Sequence, residues 1–360
     1  MTRVMKRVLF ICKDRDISYF GGLGDVKSSG LWNSSEAICK MINKHDMAKA
    51  KIVKVIDNND IDREVFAFNP THVIIEALWV VPEKFEVLQR LHPKVQWYVR
   101  LHSDIPFLAN EGMAIEWLFK YLNYDNVRIS FNSKSTLDEF KDVSYSDKKL
   151  IYLPNYYKVK EFDHKRRFIN KRNINIGCLG AIRPFKNNLM QAMSAIKFAD
   201  NIGKDLYFHI NSTRVELKGD SILRNIRALF ANSYHNLVEI PWLDHPEFIT
   251  FIDKNIDISM QVSFSETFNI VVADSVNCGI PVVVSPEIYW IDRKFKADPN
   301  SGADIVKKLY NAYDAVKDKS HEINTELLHK DNEDAIDVWE QFLRKDHKRN
   351  RWIESWLGRR

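Results

Sequence analysis

Short apolar runs alternate with stretches of helical period along most of the chain. The runs at 8–12, 50–56, 72–75, 96–101, 127–131 and 150–153 each predict a strand in the first half. Those at 174–179, 206–210, 237–242, 256–262 and 281–285 predict strands in the second. Between them the period lengthens. A helix is predicted to start near Asn33, burying Ala37, Ile38, Met41 and Ile42. Others are predicted at 187–200, 221–231, 247–254, 303–316 and 333–343, the last with Ile336, Trp339, Phe342 and Leu343 on one side. Strand–helix alternation of this kind predicts an α/β fold of parallel sheets covered by helices.

The alternation breaks between Asn155 and Asn173, where a polar, basic stretch has no apolar period. That stretch reads as an interdomain linker. Two domains also suit a chain of 360 residues, which is long for one core. The expected boundaries are 1–160 and 173–332.

Composition changes this picture little: 45% apolar and 28% charged residues describe a globular protein. The opening apolar stretch is too short for a signal-peptide core, and no run is long enough to span a bilayer. Cys12, Cys39, Cys178 and Cys278 are scattered in apolar patterns, as expected of buried free thiols in a reducing compartment. A cytoplasmic location follows as the expectation. Charge matters more locally. Residues 344–360 hold seven basic and two acidic side chains, the whole net charge of +5. Polyanion binding must therefore rest on this tail and on local patches. Asp60-Ile61-Asp62 spells a possible metal-binding pair, but with no strand before it the expected state is a solvated turn.

Candidate chemistry gathers at strand ends. Glu76, His102, Asn132 and Asn155 each fall just past a predicted strand, where open α/β sheets bind ligands. In the second half, Gly177-Cys178-Leu179-Gly180-Ala181-Ile182-Arg183-Pro184-Phe185-Lys186-Asn187 places two cations before a helix, suited to a diphosphate. Residues 263–281 predict a helix of about three turns, with Ser263, Ser265 and Thr267 as its caps and Gly279 as its stop. Its start suits a phosphate, and Glu266 and Asp274, eight positions apart, suit sugar and ribose hydroxyls; the alternative is a capped helix with two solvated acids.

Together, Gly-x-x-Arg-x-x-Lys-Asn, then Glu-x7-acid about eighty residues on, then Cys-Gly-Ile-Pro-Val-Val resemble the nucleotide-sugar domain of retaining GT-B glycosyltransferases. The group known as family 4 is the most similar. The resemblance implies two Rossmann-like, doubly wound domains facing each other across a cleft, with a terminal helix, 333–360, packing back on the first. It implies that Arg183 and Lys186 bind the diphosphate and stabilise the leaving group, and that Glu266 binds the donor sugar. The backbone N–H groups of Phe268, Asn269 and Ile270 would meet phosphate, and Asp274 the ribose. The family pattern has Glu at this last position, so the acid here is one methylene short. Gly21, Gly22 and Gly24, or else Gly30, would let the chain approach the diphosphate. His102 matches the family's histidine near the reacting carbon. The donor would be a UDP-sugar, transfer would proceed with retention, and no essential metal is expected.

Acceptor contacts would come from Glu76, Trp79, Ser103 and Asp104, with Glu76 or Asp104 able to take the acceptor proton. The stretches Glu76-Ala77-Leu78-Trp79 and Val99-Arg100-Leu101-His102-Ser103 also look like glycosyltransferases of large tailed bacteriophages. That resemblance implies 5-hydroxymethylcytosine in double-stranded DNA as the leading acceptor, in the host cytoplasm, with Trp79 and Trp97 as candidates to stack a flipped base. Trp352, Ile353, Trp356 and Leu357 recur at helical spacing among the basic residues of the tail. They suit DNA phosphates, an anionic membrane surface, or docking on the first domain. The alternatives to a DNA-modifying enzyme are a peripheral-membrane or surface-glycan glycosyltransferase and a non-catalytic GT-B protein that binds nucleotide or nucleic acid.

Overall fold

The structure is a computed structural model that describes residues 5–14, 30–159 and 172–357, with side chains of the last helix described as far as Arg344. Gly21, Gly22 and Gly24 lie outside the described residues, as do most of the basic linker and the side chains of the tail. The chain divides into two compact units, Met1–Tyr157 with Asp331–Arg360, and Lys158–Lys330.

The first unit carries a six-stranded parallel sheet. Its strands are β1 (Arg7–Lys13), β2 (Lys49–Val55), β3 (His72–Glu76), β4 (Gln96–Leu101), β5 (Val127–Phe131) and β6 (Leu150–Tyr152), in the order β2-β1-β3-β4-β5-β6. Alternate residues of one strand go to opposite faces. Val8 and Phe10 of β1 join Ile74, Tyr98, Ile38 and Ile42 on one face, whereas Leu9 and Ile11 join Ile75, Val99, Ile129 and Phe85 on the other. Both faces are therefore core, which is why these strands read as unbroken apolar runs. The first face is closed by the helix Gly30–Lys44 and by the helix Ile323–Leu357, whose Trp339 and Leu343 are buried there. Trp339 Nε1 donates to Pro154 O at 3.0 Å, and Asn332 pairs with both backbone groups of Tyr157 at 2.8 and 2.9 Å.

The second unit carries β7 (Asn173–Gly177), β8 (Asp205–Asn211), β9 (Asn236–Ile240), β10 (Ile258–Gln261) and β11 (Val282–Val284), all parallel, in the order β11-β10-β7-β8-β9. Chain direction across the sheet reverses between β7 and β10. In the first unit it reverses between β1 and β3. Such reversal points splay the flanking connections and open a crevice at the carboxyl ends of the strands.

Two sequence expectations need correction. Asp60-Ile61-Asp62 is the first turn of a helix, Asp60–Phe68, with Ile61, Val65 and Phe68 buried along one stripe. The acids sit at its positive end, where they are favoured. The helix expected from Ser263 is shorter, Ile270–Asn277, and its cap is Asn269, whose side chain accepts from Val272 N. Ser263, Ser265 and Thr267 belong to the preceding loop, which Phe264 N ties to Phe185 O at 2.8 Å.

Candidate active site

In the second unit, the residues following β7 and β10 meet at the reversal point. Lys186 and Glu266 form an ion pair, with only 10% and 8% of their side chains exposed. Gln261, the last residue of β10, locks the pair in place. Its Oε1 accepts from Lys186 Nζ and from Asn269 Nδ2, both at 3.3 Å, while its Nε2 donates to Leu179 O at 2.6 Å. One buried amide thus connects the β7 turn, the lysine and the cap of the helix Ile270–Asn277. Behind it, Gln191 donates to Lys186 O and accepts from Val262 N, at 2.7 and 2.9 Å. Asn187 donates to Val262 O and Pro299 O at 3.2 and 2.9 Å.

Two backbone positions here take the left-handed region, Asn187 at φ 54° and Asn269 at φ 59°. Asn tolerates that region better than most residues because its short amide bonds locally. Both asparagines turn the chain sharply from strand end to helix, so that Lys186 and Glu266 are delivered to one spot. Arg183 lies beside them, with Nη1 3.6 Å from Glu216 Oε2. Glu216 also accepts from Arg214 Nε at 2.7 Å, and the Arg214 guanidinium sits 4.4 Å over the Trp242 ring. The site therefore holds its cations against carboxylates and can exchange those partners for anionic and hydroxyl groups of a ligand.

Asp274 lies in the helix Ile270–Asn277. It is 1% exposed, and its Oδ1 lies 2.8 Å from Nε2 of His245, a residue that sequence reasoning overlooked. His245 opens the helix His245–Asn255 just past β9, behind a capping box of Asp244 and Glu247. Phe268 is buried, stacked on Trp290 at 5.6 Å, and its carbonyl accepts from Trp290 Nε1 at 2.8 Å. Asn269 and Ile270 are the cap and first residue of the helix Ile270–Asn277.

In the first unit, Glu76, Arg100 and His102 form a buried cluster at the ends of β3 and β4. Neither Glu76 nor Arg100 has any side-chain exposure, and His102 has 16%. Burial alone would raise the Glu76 carboxyl; the Arg100 guanidinium and His102 outweigh it and hold the group below the usual carboxylate range. As a carboxylate, Glu76 can only accept, so Arg100 Nη1 at 3.2 Å and His102 Nε2 at 2.5 Å both donate to its Oε2. The 3.2 Å between those two nitrogens is then a contact of two donors on one acceptor. Arg100 is anchored further by Asn155 Oδ1 at 2.6 Å and Leu153 O at 3.0 Å.

Glu76 has no exposed side chain and holds the His102 ring in place. Ala77, which follows it, is held at φ 69°, a strained position for a residue with a Cβ. Asp104 is buried too, capping the short helix Ile105–Leu108 and accepting from Thr136 Oγ1 at 2.8 Å. Ser103 and Trp79 remain partly exposed, with Trp79 Nε1 donating to Glu76 O at 3.0 Å. Trp97 is wholly buried core. Gly30 begins the helix Gly30–Lys44, where an added Cβ would meet no atom within 4 Å. All four cysteines are buried thiols outside any disulfide. Among the described residues no cluster of three or more His, Cys, Asp and Glu is placed to hold a metal, and no helix is long and apolar enough to cross a membrane.

No protein-family model matches the chain, and no curated protein sequence does. Solved structures do. An alpha,alpha-trehalose 6-phosphate synthase from Burkholderia multivorans matches with a TM-score of 0.66 at 10% identity, covering 99% of this chain and 99% of that one. A UDP-forming alpha,alpha-trehalose-phosphate synthase from Burkholderia vietnamiensis matches with a TM-score of 0.64 at 11% identity, over 95% of this chain and 97% of that one. HepE of Anabaena, solved with UDP and glucose, gives 0.60 at 10% identity over 99% and 100%. The chain has the fold of GT-B glycosyltransferases.

Proposed function

We propose that the protein is a glycosyltransferase that moves a sugar from a nucleoside-diphosphate donor, a UDP-sugar, to an acceptor hydroxyl. One observation carries the reading. The Lys186–Glu266 pair, with Arg183 beside it, stands at the reversal point of the second sheet, next to the start of the helix Ile270–Asn277. A nucleotide sugar needs cations for its diphosphate and a carboxylate for its sugar hydroxyls, and the crevice at such a point is where doubly wound sheets bind nucleotides. The UDP held by HepE and the UDP-forming activity named for the Burkholderia vietnamiensis synthase support the choice of base.

In this account Lys186 and Arg183 turn from Glu266 and Glu216 to the diphosphate, leaving Glu266 to accept from the sugar. As the bond from the anomeric carbon to the phosphate oxygen breaks, its electron pair passes to the phosphate, where the two cations stabilise the growing charge. The acceptor oxygen bonds to the same face, and its proton goes to the departing phosphate oxygen. Retention, which the sequence resemblance implies, follows from this same-face route assisted by the leaving group.

Acceptor roles fall to the strand ends of the first unit. His102, oriented by Glu76 and Arg100, faces the reacting sugar, and Ser103 and Trp79 contact the acceptor. The acceptor assigned from the sequence resemblance is 5-hydroxymethylcytosine in DNA. Mass spectrometry of hydroxymethylated and plain duplex DNA, incubated with the protein and a panel of UDP-sugars, separates the outcomes. A hexose or pentose mass gained only by the hydroxymethylated duplex is expected. Unchanged DNA under conditions where UDP is released would refute the DNA acceptor and leave sugar transfer standing.

A further inference from the structure

Asp274 bears the acidic side chain expected at the ribose, yet it is 1% exposed and is covered by His245. The carboxylate can only accept, so the proton of the 2.8 Å contact lies on His245 Nε2. In the neutral ring, a proton on Nε2 leaves Nδ1 as an acceptor. The imidazole therefore carries the acceptor character of the buried carboxylate outward by the width of one ring. His245 retains 27% side-chain exposure. It stands just past the carboxyl end of β9, on the same edge of the sheet as Lys186, Glu266 and Arg183.

The placement is stiff. Asp244 and Glu247 fix the start of the helix that bears His245, and Asp274 sits in the second turn of the helix Ile270–Asn277. A glutamate at position 274 would be one methylene longer than the acid that makes the 2.8 Å contact. The shorter acid and the histidine thus fit as a pair.

We propose that His245, through Nδ1, accepts the hydrogen bond of a ribose hydroxyl of the bound nucleotide, and that Asp274 is the positioning residue that orients and polarises its ring. This rests on the nucleotide-sugar reading of the site and names the side chain that selects ribonucleotides there.

Calorimetric titration of the full chain with UDP and with 2′,3′-dideoxy-UDP tests it. The wild-type protein is expected to bind UDP about tenfold more tightly, the worth of one good hydrogen bond to a partly buried group. His245→Gln keeps a donor to Asp274 but has no Nδ1, and is expected to bind both nucleotides within about twofold of each other, as is His245→Ala. His245→Asn, whose Oδ1 falls near the place of Nδ1, is expected to recover part of the preference. Asp274→Asn is expected to lower it with little effect on the affinity for the dideoxy compound. Far-ultraviolet circular dichroism of each variant checks folding. Full preference for UDP in both His245→Gln and His245→Ala would overturn the inference while leaving the nucleotide site intact. Binding of neither nucleotide by the wild-type protein would overturn the nucleotide-sugar reading and this inference with it.

Discussion

Glu76 shows how far a single residue's role depends on partners remote in sequence. It was legible as a polar residue at a strand end. Its burial was not, because that depends on Arg100, which is 24 positions away and becomes a neighbour only when β3 pairs with β4. The same holds for His245 and Asp274, which are 29 positions apart. Glu76→Gln leaves the Arg100 guanidinium without its counter-charge in a site with no exposure, and is expected to cost the first unit about 3–5 kcal/mol in chemical denaturation. A loss under about 1 kcal/mol would show that the pair adds nothing beyond packing. The sign of the pH dependence follows from the lowered carboxyl. Its stabilisation is complete above the unfolded pKa and is lost as pH falls through the lower, folded value. The variant should therefore lose less stability than wild type over that acidic window. His209 adds an acid-sensitive step in the second unit, since burial pushes its imidazole down to about 4 against the partial restoring charge of Asp257. A base with a depressed folded pKa stabilises above its unfolded value and loses that contribution between about 6.5 and 4. His209→Gln should flatten stability across that interval; an unchanged pH profile would contradict a buried, neutral His209.

At the scale of elements, the strands were the most legible part. Their apolar runs report burial on two faces, and β4 and β5 occupy the residues expected. Helix ends were read less well. Serine and threonine before the stretch 270–277 looked like caps, but the backbone hydrogen bond from Phe264 to Phe185 commits them to a loop, and the turn is made at Asn269 instead. The helix Asp60–Phe68 carries a stripe of Ile61, Val65 and Phe68 at helical spacing, in register with its two first-turn acids. Asn269 combines a positive φ with a side-chain cap. Asn269→Ala loses the cap and strains the backbone, for an expected cost of about 2–3 kcal/mol; Asn269→Gly loses the side-chain cap without the strain and should cost only about 0.5 kcal/mol. Equal losses for the two variants, read by thermal denaturation, would show that the turn is unstrained.

For the whole molecule, the order of each sheet explains why the candidate chemistry gathers where it does. Both orders of strands reverse once. Arg183, Lys186 and Glu266 gather at the reversal in the second unit, whereas Glu76, Arg100 and His102 gather at the neighbouring ends of β3 and β4 in the first. The motifs of the second unit were legible because their spacing is local. The acceptor was not, because nothing in the described strand ends of the first unit specifies one hydroxyl over another. The central claim is that the Lys186–Glu266 site holds and activates a nucleotide sugar. The most direct measurement is the rate of nucleoside diphosphate release from a panel of UDP-sugars by wild type, Lys186→Met and Glu266→Gln. Wild type should release UDP from at least one donor, and each variant should do so about 100-fold or more slowly, the scale of losing a charged group that acts on the transition state. Release at the wild-type rate by both variants, or binding of no nucleotide sugar by the wild-type protein, would contradict the account.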